Sequence, residues 1–564
     1  MIPPRLGRTL PAKTTRIGLI SLGCAKNLVD AEIMLGALLK AGLEVTNDPE
    51  DADAIIINTC SFIGAAQEES VDTILESIDL RRTRRPDQAL VVSGCLPQRF
   101  REDLPDLLPE VDAFMGIDQV TRIASIVDDA LARRAERKNW SNGKPTRAQR
   151  KLIDRLAKLE KNHHTTPVTS KKTLPSQSLA THTQPQAQEV LASTPIVEVT
   201  QKPAYIPDFA TPRFRLTPRH TAYVKIAEGC NHPCTFCIIP RMRGSHRSRP
   251  KHDIVREALQ LIDDDVKELN LVSQDSTYYG LDLRPNRQGS ISSPEKFNLA
   301  AKQLPRDATT LCSLLRDLNS LKGNFWIRLL YTHPAHWTDD LIQTIAECSK
   351  VARYVDLPLQ HIHDNMLERM RRETSRQHIV DLIHRIRAGV PGIAIRTTFI
   401  VGFPGETEAC FETLLEFIRE TRFERLGVFT YSREDGTRAG SMSNQIPERV
   451  KRRRQKLAME EQLKVSRGLG RSFLGRTLNV LVEKAAGGED ARYARLDSRE
   501  HGMIRKNGTS SDPSTQPNLV LARSESDAPD IDGRVYVRGR LPIGQFARVK
   551  VLDHTDFDLI AEPI

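Results

Sequence analysis

Ala222–Gly244 reads AYVKIAEGCNHPCTFCIIPRMRG. Its opening hexad is apolar and rich in residues that favour strands, and Cys230, Cys234 and Cys237 follow within eight residues. Three thiols this close can wrap a small metal centre from one loop. A structural zinc ion wants a fourth ligand, for which His232 and His246 are at hand. A ferredoxin-type iron–sulfur cluster wants a fourth cysteine, and none follows at that spacing. A four-iron cube held by three cysteines instead keeps one iron open to a small molecule. The loop comes directly after a strand, the position at which α/β barrels place their active sites.

Downstream the strand–helix rhythm continues to about Thr437. Six runs, AYVKIA, ELNLVS, FWIRLLY, YVDLPL, AIRTTFIVG and RLGVFTY, are separated by helical stretches, which predicts a parallel α/β sheet of the partial (β/α)6, TIM-like barrel kind. A polar insertion, Arg284 to Pro305, interrupts the second crossover. Past a basic helix the chain turns strand-like, with TLNVLVEKA, RVYVRG and FARVKVLDH between glycine turns, and predicts a small antiparallel β-barrel. Upstream, RIGLISL, a helix from Leu28 to Lys40 ended by Gly42, AIIIN, a helix around Gln67 to Leu80 and ALVVS predict a second parallel α/β domain. The stretch between the two α/β domains is rich in Thr, Ser, Pro, Gln and Lys (KKTLPSQSLATHTQPQAQ), the composition of a disordered linker. The expected divisions are therefore 14–132, a linker insertion over 135–203, the barrel over 214–460, and the small β-barrel over 469–562.

A second cysteine trio emerges from spacing. Cys24, Cys60 and Cys95 are separated by 36 and 35 residues, about one strand–helix–strand repeat each. Every one lies a residue or two beyond its strand, in RIGLISLG-Cys24, AIIINT-Cys60 and ALVVSG-Cys95. In a parallel sheet successive carboxyl ends share one edge, where open α/β sheets bind ligands. Gly23 and Gly94 permit the tight turns that aim Cys24 and Cys95 outward. Cys312, Cys348 and Cys410 fall in helical stretches and read as packing residues.

Composition bounds the rest. The 564 residues are 27% charged and 39% hydrophobic, the balance of a globular protein. No apolar run approaches the ~20 residues of a membrane helix, and the first 13 residues lack the apolar stretch of a secretory signal. A cytosolic protein without disulfides is the expectation. The net charge of +10 hints at an anionic partner, yet residues 136–200 alone carry 11 basic against 5 acidic residues. The octet RVKRRRQK (Arg449–Lys456) holds six more, and a helix joining two domains explains it as well as a phosphate contact does.

Taken together, the CxxxCxxC loop after a barrel strand resembles the hallmark of the radical SAM superfamily. The N-terminal trio resembles that of its methylthiotransferase branch, whose members attach a methylthio group to an unactivated carbon. The resemblance runs through SLGCAKNLVDAE, INTCSFIGAAQEES, SGCLPQR, SQDSTYYGLD, DLPLQH, RTTFIVGFPGETE, GVFTYSREDGT and DAPDIDGRVYV, nearly the whole chain outside the insertions. Ser273-Gln274-Asp275 stands where the tRNA-modifying group of that branch reads GQN. The wording is closer to the group that modifies an aspartate of ribosomal protein S-twelve. The tRNA group is the alternative, and a non-catalytic zinc- or RNA-binding protein a distant third.

The resemblance implies two 4Fe–4S clusters, on Cys230, Cys234 and Cys237 and on Cys24, Cys60 and Cys95, with S-adenosyl-L-methionine as cofactor. It implies a one-electron donor such as flavodoxin or ferredoxin, and names the small β-barrel a TRAM domain. Gly402, Gly405 and Glu406 (VGFPGE) and Gln274 and Asp275 lie at strand ends and are expected to contact cofactor or substrate. His361 is a weaker candidate. Arg328, inside a strand, is expected to meet a carboxylate within the barrel. An RNA-gripping face should be strongly basic, whereas residues 468–564 hold 14 basic and 14 acidic residues. Asp527, Asp530, Asp532, Asp553, Asp556 and Asp558 would then offer an acidic face to a basic protein.

Overall fold

Alternating apolar runs and amphipathic stretches fold into two parallel α/β sheets and one small barrel. The computed structural model describes residues 14–137, 194–284, 291, 293–305, 307–486 and 519–564. Two units result, one formed by the chain up to Pro203 with Thr211–Phe214, the other by Ala204–Ala210 and Arg215–Ile564. Most of the expected linker, and the insertion at 490–517, lie outside the described residues.

In the first unit the strands are β1 (Arg16–Ser21), β2 (Glu44–Thr46), β3 (Ala54–Thr59), β4 (Ala89–Gly94), β5 (Ala113–Met115) and β6 (Ile196–Glu198). They pair in parallel in the order β2-β1-β3-β4-β5-β6. β3 and β4 are buried along their whole length, which is why AIIINT and ALVVSG carry almost no polar alternation. Their Ile55, Ile57, Leu90 and Val92 pack on Val71, Ile74 and Ile78 of the helix Gly64–Arg84. β6 corrects the reading of 135–203 as linker. Residues 196–198 pair with β5, and three residues are too few to show a period of two.

The second unit holds β7 (Thr221–Lys225), a two-stranded pair β8 (Ala227–Glu228) and β9 (Arg247–Ser248), then β10 (Glu268–Val272), β11 (Trp326–Leu329), β12 (Val351–Asp356), β13 (Ala394–Val401) and β14 (Arg425–Thr430). Six of these form a parallel sheet in sequential order, β7-β10-β11-β12-β13-β14. Strand–helix repeats wound in one direction are the barrel arrangement, and all six expected strands are present. The C-terminal strands β15 (Thr477–Ala485), β16 (Leu519–Ser524), β17 (Val535–Arg538), β18 (Phe546–His554) and β19 (Leu559–Pro563) close a barrel. It is antiparallel except between β17 and β19, which run parallel.

The end of β16 and the β16–β17 loop of this small barrel pack against the amino-terminal ends of the large barrel's strands. Buried Glu268, at the start of β10, accepts from Arg328 Nε at 2.7 Å and from Arg523 Nη1 at 3.1 Å. Arg425 Nε donates to Asp527 at 2.9 Å, and the Tyr354 hydroxyl to Asp532 at 2.8 Å. The carboxylate that Arg328 meets is thus the protein's own. Asp527, Asp532 and Asp558 are 2–5% exposed, so half of the expected acidic face points inward. In the basic octet, Lys451 and Arg454 are likewise buried: the first donates to Tyr431 O at 2.7 Å, the second to Glu406 at 3.0 Å. No described helix is long and apolar enough to cross a membrane.

Candidate metal centres

β1, β3 and β4 are neighbours, and each runs straight into one cysteine of the first trio. Cys24 caps the helix Ala25–Lys40, Cys60 follows β3 directly, and Cys95 opens the short helix Cys95–Arg99. Gly23 has φ +90°, and a Cβ there would sit 2.7 Å from Cys60 Cβ and 3.1 Å from its sulfur. Gly94 has φ +97° with Thr59 O and Asn58 Oδ1 where a Cβ would go. Only glycine passes such turns. Buried Asn27 ties them together: its Nδ2 donates to Leu22 O at 3.2 Å and Thr59 O at 2.9 Å, while its Oδ1 lies 3.6 Å from Cys95 Sγ. The structure therefore brings Cys24, Cys60 and Cys95 to one place. Asn27 stood in the quoted SLGCAKNLVDAE, three residues after a cysteine and one helical turn on. Its role was not read there.

In the second unit the antiparallel pair β8–β9 closes the base of the cysteine loop, with Ala227 opposite Ser248 and Glu228 opposite Arg247. Gly229 (φ +79°) lies so close to the backbone of Gly244 and Ser245 that no side chain fits. Within the loop the Cys230 amide donates to Gly244 O at 3.1 Å and the Cys237 amide to Cys234 O at 3.2 Å. All three cysteines are free and half-buried. Burial, helped by Asp275 and Cys237, holds the Cys230 thiol well above its usual range, and burial with Cys234 pushes Cys237 up to about 12. Such thiols stay protonated until a metal replaces the proton.

Around the loop stand the residues from the strand ends. Glu228 accepts from Arg243 at 2.6 Å and from Gln274 Nε2 at 3.1 Å; burial opposes its ionisation, but Arg243 and Lys225 hold it well below the carboxylate range. Gln274 Oε1 is buried without a hydrogen-bond partner, an acceptor free for a bound molecule. Asp275 is otherwise engaged: Oδ2 lies 2.8 Å from both His232 Nε2 and His336 Nδ1, and Oδ1 accepts from Thr277. Its carboxylate orients two imidazoles. Burial lowers His232 to about 4 and holds His333 well below the usual histidine range, and the two rings stack at 3.6 Å. His333 and His336 were missed, although THPAHW follows β11 at its carboxyl end. The rule that flagged Gln274 and Asp275 would have found them.

Gly402 and Gly405 turn with φ +73° and +83° after β13. Glu406, 2% exposed, accepts from the Gly402 amide, from Arg454 at 3.0 Å and lies 3.4 Å from His361 Nε2. These contacts make Glu406 and His361 supports of the turn. Cys312, Cys348 and Cys410 are buried.

Residues 16–116 match the family described as Uncharacterized protein family UPF0004, residues 224–418 the Radical SAM superfamily, and residues 512–564 the TRAM domain. The chain is 47% identical over 554 residues to the ribosomal protein uS12 methylthiotransferase RimO of Opitutus terrae, covering 97% of this chain and 96% of that protein. The chain belongs to the RimO family. The RimO of Akkermansia muciniphila is 45% identical over 97% of this chain and 99% of its own length, and that of Geotalea uraniireducens 39% over 97% and 98%. As a RimO-family member it is a radical SAM enzyme, an iron–sulfur protein that uses S-adenosylmethionine. Of the six clustered cysteines, three fall in the UPF0004 match and three in the radical SAM match.

Proposed function

We propose that this chain adds a methylthio group to the β-carbon of an aspartate in ribosomal protein uS12 (S-twelve), in the cytoplasm, with two 4Fe–4S clusters. The observation that carries this reading is the pair of cysteine trios, each gathered at the carboxyl edge of a parallel sheet, in a chain alike to RimO proteins from end to end. Cys230, Cys234 and Cys237 would hold one cluster, and Cys24, Cys60 and Cys95 the other, with an iron left open in each. The donor set fits: three thiols without a fourth protein sulfur suit a cluster that must also bind a small molecule. When bound, the barrel cluster supplies the one-electron cleavage of S-adenosylmethionine, radical chemistry that no side chain performs.

The chain's own residues do the rest. Gln274 Oε1 would accept from a bound cofactor or substrate, and the Gly402–Gly405 turn, stiffened by Glu406, Arg454 and His361, would stand at the carboxyl end of its strand beside it. Asp275 fixes His232 and His336 in orientation beside the cysteine loop. A flavodoxin or ferredoxin fits the need for single electrons. The inward-facing acids of the TRAM domain leave its charge balance silent about RNA.

Anaerobically reconstituted protein is expected to carry about eight irons per chain. Cys234→Ala should abolish S-adenosylmethionine cleavage. Cys60→Ala should spare cleavage but yield no methylthiolated uS12 by mass spectrometry. Equal loss of cleavage in both variants would refute the division between the trios. A product found on tRNA adenosine, with uS12 unmodified, would refute the substrate.

A further inference from the structure

Arg372 sits just past the helix Asp364–Met370. Arg371 turns left-handed (φ 54°) and the Arg372 amide donates to Leu367 O at 3.0 Å, a closure that fixes where a chain leaves its helix. The cysteine loop is fastened to the same helix end. Thr235, between Cys234 and Cys237, donates its amide to Met370 O at 3.0 Å and its hydroxyl to Arg369 O at 2.9 Å. The Arg372 guanidinium is thereby held against the loop: Nη1 is 3.5 Å from Cys234 Sγ and Nη2 donates to Pro358 O at 2.6 Å.

The side chain is 6% exposed, its Nε has no partner, and no carboxylate pairs with it among the described residues. A buried guanidinium without a counter-charge is strongly disfavoured. The balancing charge within reach is that of the cysteine thiolates once they hold metal. We propose that Arg372 is a positioning residue for the electron: its cationic N–H···S contact with Cys234 raises the reduction potential of the cluster on Cys230, Cys234 and Cys237. Reduction adds one negative charge to that cluster. A fixed cation in a poorly polarisable interior stabilises the added charge, and hydrogen bonds to cluster sulfurs act in the same direction. The inference rests on reading those three cysteines as cluster ligands.

The full chain carrying Cys24→Ala, Cys60→Ala and Cys95→Ala keeps only the barrel trio. After anaerobic reconstitution it is expected to hold about four irons with unchanged circular dichroism; folded protein without iron overturns the cluster reading itself. In that background, Arg372→Met and Arg372→Gln are titrated with dithionite and the reduced cluster is followed by electron paramagnetic resonance. The equilibrium constant for one-electron uptake should fall at least tenfold, a midpoint lower by 59 mV or more. Arg372→Lys, which keeps the charge, should recover part of the shift. An unchanged midpoint in Arg372→Met at full iron content overturns the proposal. Loss of iron from Arg372→Met leaves the decision to Arg372→Gln, and loss from both makes Arg372 an assembly residue, which overturns it too.

Discussion

Asp275 shows how much one side chain can arrange. Its carboxylate is 3% exposed, and burial alone would keep it protonated. His336 and His232 outweigh burial and hold it well below the carboxylate range. One oxygen then serves two imidazoles while the other is fixed by Thr277. Partners that orient the groups of a metal site commonly change affinity or activity 10–100-fold when removed. Asp275→Asn should therefore slow uS12 methylthiolation by about that factor while iron content and thermal stability stay near the parent's. A loss below twofold would remove the orienting role. The position of Asp275 was legible from its place after a strand. Its partners were not, because His232 and His336 lie 43 and 61 residues away in sequence, and only the folded sheet brings them together.

At the scale of elements, legibility followed length. β3, β4 and the six barrel strands announce themselves as apolar runs bounded by helices, and the cysteines were placed by those strand ends. β2, β5 and β6 are three residues each, shorter than any pattern that can be counted. The turns between element types depend on glycine. Gly94 joins β4 to the helix that Cys95 opens, and a Cβ there would lie 2.5 Å from Thr59 O. Alanine in a left-handed position with no room loses more than the ~1 kcal/mol that such swaps yield at compatible sites. Gly94→Ala should lower the denaturant midpoint of the N-terminal unit and displace Cys95 relative to Asn27. An unchanged midpoint, with the parent's iron content, would show that the turn relaxes freely.

Across the molecule, charge had been read by counting, and counting misled. A domain total treats a buried pair like a solvated one, so Asp527 and Asp532 looked like surface while they in fact meet Arg425 and Tyr354. Glu268 is the centre of that junction. Burial would raise its pKa, but Arg523 and Arg328 outweigh it and bring it down to about 2. A depressed carboxylate stabilises the fold above its ordinary value near 4.5 and loses that contribution as pH falls toward 2. Thermal stability of the parent should thus decline through that window. Glu268→Gln takes the carboxylate from buried Arg328 and leaves Arg523 with Glu483 alone, which costs about 3–5 kcal/mol, and should flatten the decline. An equally steep acid profile in the variant would show that other carboxylates govern it. A β16–β17 loop so occupied has its polar groups facing home. The C-terminal module is accordingly a welded handle, and a ribosomal surface docking there has only its outer walls to grasp.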